Sequence, residues 1–163
     1  MVRIAHISDT HFGTEIPDVI TALQQVMAGI APDVIILSGD ITQRARPSQF
    51  RAARIFMDSL KAGHKMIVPG NHDIPLNLPM RLFAPYYNYH KVFKARQGVW
   101  CNEEIAIIGY DATSRWQHTR GRLPSNMIVK GFANIAERRT TEMMIVVVAH
   151  QPLATKWLED YHN

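Results

Sequence analysis

The sequence predicts an α/β fold whose strands are buried on both faces. Short runs of β-branched and aliphatic residues recur along the chain, and longer helical patterns separate them. In addition, 47% of the 163 residues are hydrophobic, which is enough for a sizeable core. A chain of this length lies within the usual range of one domain, so we expect a single domain over residues 1–163.

Five segments have the composition of buried strands. Each is rich in Val, Ile or Leu and is followed by turn-forming or polar residues. The predicted strands are residues 2–7, 34–37, 65–68, 105–108 and 144–149. Because His6 alternates with apolar neighbours in the first of them, we expect its side chain to pack in the interior.

Helical periodicity fills the intervals between these strands. Apolar spacing predicts a helix over residues 16–30, with Pro17 suited to its first turn. The same spacing predicts a helix ending before Gly63, which lies where a C-terminal cap would. A third helix is predicted over residues 125–139, and the proline-rich residues 75–89 predict an irregular excursion with one short helix.

The charge and cysteine content exclude some classes of site. The formal net charge is +4, but the basic residues are scattered, which is more typical of a solvated surface than of a nucleic-acid interface. Cys101 is the only cysteine, so a disulfide or a cysteine-based zinc cluster within the chain is ruled out. Any metal must therefore be held by His, Asp, Glu or Asn.

Hydropathy gives an expectation about location. The first residues contain no apolar stretch long enough for a secretory signal, and nowhere do about 18 apolar residues run together to form a membrane span. We therefore expect a cytoplasmic protein without a membrane span.

Polar side chains follow four of the five predicted strands at the point where each strand ends. Asp9 and His11 follow the first, Asp40 the second, residues 71–73 the third and His150 the last. Open α/β sheets bind ligands at the carboxyl ends of their strands, so this placement predicts a functional site there.

The residue types at these positions suit a pair of metal ions. Hydrolysis of phosphate esters by two ions about 3.5–4 Å apart needs oxygen and imidazole ligands and one carboxylate that touches both ions. Asp9 and His11 are separated by one residue, so both side chains can point toward one ion. Asp40 is a candidate bridging carboxylate. Asn71 can offer its amide oxygen to the second ion, and His150 is placed to complete part of that site.

The order of these motifs is similar to that of a known family. D-x-H, G-D, G-N-H-D and a strand-terminal histidine, in this order, resemble the calcineurin-like metallophosphoesterase family, including its cyclic-nucleotide phosphodiesterase-like branch. The resemblance implies a metallophosphoesterase-type βαβ sandwich with helices flanking the sheets. It also implies divalent-metal-dependent hydrolysis of a phosphomonoester or phosphodiester, with a small phosphate ester as substrate.

The resemblance assigns a role to each metal-binding candidate. It implies that Asp9, His11 and Asp40 bind the first ion, whereas Asp40, Asn71 and His150 bind the second. The mixed His, Asp and Asn ligands suit manganese, iron, zinc or nickel, and we expect manganese or iron.

Two catalytic residues are implied in the same way. His72, the histidine of the G-N-H-D motif, would assist the leaving group. Its neighbour Asp73 would orient the imidazole and raise its basicity.

The family's last motif, G-H-x-H, is missing from this sequence. Residues 151–163 contain no glycine and a single histidine, His162, whose context does not match. We therefore expect a fold that is incomplete at its C-terminus, with an exposed sheet edge and one imidazole fewer for each ion. A truncated gene is the explanation we favour over a naturally short form that dimerises through that edge and over a non-catalytic descendant.

Two functions of other classes stay open beside phosphoester hydrolysis. One is a non-catalytic scaffold or interaction module that associates with itself through the exposed edge. The other is nucleic-acid binding through the net positive charge. Trp100, Trp116 and the cluster of Tyr86, Tyr87 and Tyr89 are candidates for lining a substrate pocket, although aromatic residues near proline-rich turns are more often packing anchors.

Overall fold

The computed structural model describes residues 1–117 and 120–152 and contains two three-stranded sheets. The first sheet is parallel throughout, in the order β1 (Ile4–Ile7), β2 (Val34–Ser38) and β3 (His64–Val68). The second has the order β4 (Gly98–Cys101), β5 (Ile105–Gly109) and β6 (Met144–Val148). In this sheet β4 is antiparallel to β5, and β6 is parallel to it.

Five α-helices and one short 3-10 turn connect these strands. The helices are α1 (Pro17–Ile30), α2 (Pro47–Ser59), α3 (Leu78–Phe83), α4 (Tyr87–Phe93) and α5 (Ser125–Ala133). The 3-10 turn, Asn71–Asp73, follows β3 directly. None of the helices in the described residues is long and apolar enough to cross a membrane.

The two sheets pack face to face around an apolar core. Alternate residues of a strand point to opposite faces, so Val34 and Ile36 of β2 meet Ile107 of β5 between the sheets. The intervening residues, Ile35 and Leu37, face outward, yet they are also fully buried. This is why β2 reads as a continuous apolar run rather than an alternating one.

Helices cover the outer face of each sheet. Residues of α1, α2 and α4 pack on the first sheet, where Phe50 and Tyr89 are fully buried. On the second sheet, α5 packs against Ile108 and Tyr110 through Met127 and partly buried neighbours. The predicted α/β sandwich with helices flanking both sheets is therefore confirmed.

Four local predictions differ from the structure. Strand β4 was not predicted, because its short Gly-Val-Trp-Cys run lacks an aliphatic pattern. Residues 75–93 contain two short helices rather than one, and α5 ends at Ala133 instead of at 139. His6 is exposed rather than interior, because β1 is an edge strand in the described part of the chain, and its Nε2 lies 2.6 Å from the Ser38 hydroxyl.

Strand β6 lies at the other edge of the described sandwich. Among the residues that the structure describes, β6 pairs with β5 alone. Met144 and Val147 on this strand are 64% and 46% exposed. The expectation that this edge is exposed because the fold is incomplete stays a prediction, since residues 153–163 lie outside the described part.

The packing of α5 on the second sheet can be tested at one helical glycine. A Cβ atom on Gly131 would clash with the Tyr110 hydroxyl and lie 2.9 Å from Ile108 Cγ2. We expect Gly131→Ala to lower the free energy of unfolding by roughly 1–3 kcal/mol, measured by urea denaturation, because overpacking outweighs the gain in helix propensity.

Gly29 in α1 provides the matched control. A Cβ atom there would meet nothing within 4 Å. Gly29→Ala should therefore raise the free energy of unfolding by about 0.5–1 kcal/mol. Equal stabilisation by both substitutions would contradict the close contact between α5 and Tyr110.

Candidate metal centre

The loops after β2 and β3 are joined to the loop after β1 by backbone hydrogen bonds that continue the parallel sheet. Gly39 N donates to Val68 O at 2.9 Å, and Asp9 N donates to Gly39 O at 3.2 Å. Two residues further on, His11 N donates to Asp40 O at 3.0 Å. These bonds bring Asp9, His11 and Asp40 to one edge of the sheet, as their positions at strand ends predict.

The loops reach this arrangement through unusual backbone conformations. Asp9, His11 and Asp40 have φ values of 56°, 41° and 46°, all in the left-handed region. This region costs a non-glycine residue of order 1–3 kcal/mol, and such conformations cluster at functional sites. Gly39, with φ of 75°, also needs to be glycine because a Cβ atom there would clash with the His150 ring.

The Asp40 carboxylate lies at the centre of the cluster. Its Oδ1 accepts a hydrogen bond from His72 N at 2.9 Å and lies 3.3 Å from His150 Nε2, and its Oδ2 lies 3.8 Å from His11 Nε2. Potential ligand atoms form two groups, each within 4.8 Å: His11, Asp40 and His72 in one, and Asp9, Asp40 and His150 in the other. Asp40 belongs to both groups.

The contact between His150 and Asp40 calls for a cation. His150 Nδ1 lies 2.9 Å from the carbonyl oxygen of Ser38, which only accepts hydrogen bonds, so Nδ1 carries the hydrogen. In a neutral ring, Nε2 then presents a lone pair to a carboxylate oxygen 3.3 Å away. Two electron pairs at this distance repel each other unless a proton or a metal ion lies between them.

The pKa values of the pair shift in the direction that this contact requires. Burial works against the charged form of Asp40, but the hydrogen bonds from His150 and the His72 N–H outweigh it and lower its pKa. Burial likewise lowers the pKa of His150, but the Asp40 carboxylate outweighs it and raises that pKa. The site thus favours positive charge next to Asp40.

His11 also has the spacing of a metal ligand rather than of a hydrogen-bond partner. Its Nε2 lies 3.8 Å from both Asp9 Oδ1 and Asp40 Oδ2, beyond hydrogen-bond reach. Atoms that bind one ion at about 2.0–2.2 Å lie roughly 3–4 Å from each other. In addition, His11 Nδ1 is buried without a hydrogen-bond partner in the described part of the chain.

His72 is oriented by a backbone carbonyl. Its Nδ1 lies 3.0 Å from Gln43 O, and its ring meets the His11 ring edge-on with centroids 4.9 Å apart. A ligand-forming histidine commonly has its second nitrogen fixed by such a carbonyl. The sequence-based hypothesis gave this orienting role to Asp73 instead.

Asp73 makes a different set of contacts, with the backbone of two neighbouring loops. Its carboxylate accepts hydrogen bonds from Ile41 N at 3.1 Å, Thr42 N at 2.9 Å, Thr42 Oγ1 at 2.8 Å and Gly70 N at 2.9 Å. Burial raises the pKa of Asp73 to about 6, and these bonds oppose the rise. These contacts tie the loop after β2 to the turn after β3. Asp73 points toward these loops because successive side chains of a one-turn helix point in different directions.

Asn71 lies beside the residue that follows His150. Its Oδ1 is 3.5 Å from Gln151 Nε2, and Gln151 is buried. Gln151 was not among the predicted site residues, and its position next to His150 is the one signal for it in the sequence. The carbonyls of Ser38 and Gln43 could not be predicted, because a backbone acceptor leaves no mark in the sequence. His162 lies outside the described residues.

The donor set fits divalent cations. Imidazole and carboxylate donors suit first-row metals such as manganese, iron, nickel and zinc. The lone pairs facing each other at His150 and Asp40 and the long contacts of His11 are both explained by a cation in each group. The arrangement therefore has the chemistry of a metal centre built on a shared carboxylate.

Comparisons with curated proteins give two relatives. The glycerophosphodiester phosphodiesterase GpdQ of Enterobacter lignolyticus is 32% identical over 83 residues, which cover 43% of this chain and 29% of that protein. The DNA double-strand break repair protein Mre11 of Methanocaldococcus jannaschii is 32% identical over 128 residues, covering 66% of this chain and 34% of that protein. The matched segments thus span about a third of the length of these relatives.

The fold is similar to that of a solved structure. Phosphopantetheinyl hydrolase from Mycobacterium tuberculosis superposes with a TM-score of 0.54 and 17% sequence identity, covering 96% of this chain and 71% of that one. In addition, residues 2–162 match the family described as Calcineurin-like phosphoesterase. Because this match extends over nearly the whole sequence and the motifs that carry it lie together at one edge of the sandwich, the chain belongs to the calcineurin-like phosphoesterase family.

Proposed function

We propose that this protein hydrolyses phosphate esters with two divalent metal ions held side by side. The observation that carries the proposal is the Asp40 carboxylate, whose Oδ1 faces His150 and whose Oδ2 faces His11. A carboxylate shared by two groups of ligands is the part that a two-ion site needs most. We assign Asp9, His11 and Asp40 to one ion, and Asp40, Asn71 and His150 to the other. This division differs from the two spatial groups, because it places Asp9 with His11, whose Nε2 lies 3.8 Å from Asp9 Oδ1, and keeps His72 for catalysis.

Membership of the family supports a phosphoester substrate, and one curated relative supports a diester. That relative is named as a glycerophosphodiester phosphodiesterase. Because the match covers only 43% of this chain, we propose the reaction class of that relative and not its particular substrate. Manganese or iron remains the metal that we expect, although zinc and nickel suit the same donors.

The chemistry divides between the ions and the protein. When bound, a pair of divalent ions neutralises the charge of the phosphate and supplies a nucleophile at neutral pH. Asp40 keeps the two groups of ligands at a fixed separation, and Ser38 O fixes the His150 ring. His72, held through Nδ1 by Gln43 O, is the residue that we assign to proton donation to the leaving oxygen through Nε2.

The non-catalytic scaffold is the weaker alternative. It would leave two features without a function: the left-handed conformations of Asp9, His11 and Asp40, and the 3.8 Å spacing of His11 Nε2 from two carboxylates. Self-association through the β6 edge stays a prediction, which the exposure of Met144 and Val147 supports.

The first prediction for the proposed function removes the shared carboxylate. Asp40→Asn keeps the size of the side chain but removes its charge, so metal affinity and turnover should each fall by at least about a hundredfold. Metal content is measured after purification without chelator, and turnover is measured with bis-p-nitrophenyl phosphate and p-nitrophenyl phosphate in added manganese.

Asp58→Asn is the matched control for this substitution. Asp58 is an exposed residue of α2 that pairs with Arg54 four residues earlier, and exposed pairs of this kind contribute little. We expect wild-type metal content and turnover from it. Retention of both metal and turnover by Asp40→Asn would contradict the proposed site.

The second prediction separates proton donation by His72 from metal binding. His72→Asn should lower kcat by about 10²–10⁴-fold for a diester with an alkyl leaving group, which needs a proton. A p-nitrophenyl leaving group is already a stable anion, so its kcat should fall far less. Metal content should stay at the wild-type level. Loss of metal would instead make His72 a ligand, as its place in the His11–Asp40 group allows.

The third prediction concerns Asp73 as a positioning residue. In Asp73→Asn the amide NH₂ would face two of the N–H and O–H donors that now point at the carboxylate. The free energy of unfolding should fall by roughly 2–4 kcal/mol, measured by urea denaturation. Metal affinity measured on the folded variant should also fall, because Ile41 and Thr42 directly follow Asp40. Unchanged metal affinity would restrict Asp73 to a purely structural role.

A further inference from the structure

A cavity of about 550 Å³ lies between the α3–α4 region and the segment that follows β5. We call it the arginine pocket and define it by six of its lining residues: Tyr86, Tyr87, Arg96, Arg115, Trp116 and Arg122. Its volume is in the range of small-molecule sites. None of these residues takes part in the metal chemistry proposed above.

The arginine pocket is connected to the metal centre through Gln151. Gly121, which precedes Arg122, packs so closely on this residue that a Cβ atom there would lie 2.8 Å from Gln151 Cβ. Gln151 follows His150 and lies 3.5 Å from Asn71 Oδ1. The segment after β5 that lines the cavity and the loop after β6 that carries His150 therefore pack on each other at the same edge of the second sheet.

One wall of the arginine pocket is held rigidly by a buried carboxylate. Asp111 pairs with Arg96, and its Oδ1 accepts hydrogen bonds from Thr113 N at 2.9 Å and from Thr113 Oγ1 at 2.6 Å. The Arg96 guanidinium also stacks on the Tyr86 ring, 3.8 Å from its centroid. The Tyr86 hydroxyl bonds to Thr113, so these groups form one connected network.

A second part of the lining, residues 114–116, is fixed by α3. The buried Arg81 donates from Nε to Arg115 O at 2.7 Å and from Nη2 to Ser114 O at 3.3 Å. In return, Arg115 donates from Nη1 to Leu82 O at 2.8 Å. Residues 114–116 are therefore held in place by contacts with α3 on both sides of the chain.

The charges that line the cavity favour an anion. Three guanidinium groups face one carboxylate, and Arg96 already neutralises Asp111. Arg115 and Arg122 therefore give the cavity a positive excess, and guanidinium groups bind phosphate oxygens with two hydrogen bonds at once.

The aromatic lining favours a flat ring. The Trp116 side chain is 76% exposed, so its indole offers a large uncovered plane. Tyr87 is 52% exposed, but Lys91 Nζ already lies 4.2 Å from its ring centroid. Trp116 is therefore the ring on which a ligand is best placed to stack.

We propose that the arginine pocket binds the organic group of the substrate, and that this group is a nucleoside carrying a phosphate in addition to the one that is hydrolysed. The base stacks on Trp116, and the additional phosphate binds Arg115 and Arg122. A nucleotide combines a flat ring, which suits Trp116, with a second anion, which suits Arg115 and Arg122. This assignment of substrate class rests on the proposed phosphoesterase function.

Kinetics with three diesters of p-nitrophenol test the proposal. They share the scissile phosphate and the leaving group, and carry a methyl group, a 5′-linked thymidine, or a 5′-linked thymidine with a 3′-phosphate. The wild-type KM should fall in that order. Trp116→Ala should raise KM about tenfold for both thymidine esters and leave the methyl ester unchanged, whereas Trp116→Phe, which keeps a ring, should restore most of the loss.

The charge contribution is tested with the same substrates. Arg122→Gln should raise KM about tenfold for the 3′-phosphorylated ester alone. Arg51→Gln, on the exposed face of α2, is the matched control and should change none of the three values. Equal kcat/KM for the methyl and both thymidine esters in the wild type would overturn the pocket assignment while leaving phosphoester hydrolysis intact.

A binding measurement keeps the two proposals separate. Titration of the protein with thymidine 3′,5′-bisphosphate in the presence of chelator, followed by calorimetry, requires neither metal nor turnover. We expect binding that Trp116→Ala and Arg122→Gln each weaken about tenfold and Arg51→Gln does not. Such binding without any turnover would support the pocket and contradict the hydrolase. Binding that neither pocket substitution changes, or no binding at all, would overturn the pocket.

Discussion

The position of one carboxylate, that of Asp40, constrains the loops around it. Its two oxygens are contacted from three directions, by His72 N–H, by His150 and by His11. The parallel register of the first sheet brings the loops after β1, β2 and β3 to the same level, so that Asp9 and Asp40 are adjacent although they are far apart in sequence. The sandwich thus serves as a rigid frame that presents one buried anion to several imidazoles.

Holding these groups together requires conformations that the chain would otherwise avoid. Asp9, His11 and Asp40 have positive φ, and each such residue costs of order 1–3 kcal/mol. Elsewhere in the same loops, the four hydrogen bonds of Asp73 fix Ile41, Thr42 and Gly70 and so offset part of this strain. The buried Asp73 carboxylate therefore helps to hold the loop that carries Asp40 in position.

The parts of this structure that follow from repeating patterns were predictable, and the parts that depend on single contacts were not. Buried strands reveal themselves by aliphatic runs, so the clustering of Asp9, His11 and Asp40 at strand ends could be predicted from the sequence. The direction of the Asp73 side chain could not, because a one-turn helix does not fix which of its residues faces the site. Strand β4 escaped detection because its pairing with β5, rather than its own composition, makes it a strand.

The residues of the proposed metal centre come from both sheets, so their relative positions depend on how the sheets pack. His150 follows β6 of the second sheet, yet its ring is fixed by Ser38 O at the end of β2 in the first. The sheets approach closely because β5 carries Gly109 where a Cβ atom would lie 2.7 Å from Met66 Sδ. A larger residue there would require the Met66 and Val68 side chains of the first sheet to shift. The distance between His150 and Asp40 thus depends on the close packing of the two sheets as well as on the contact between these two side chains.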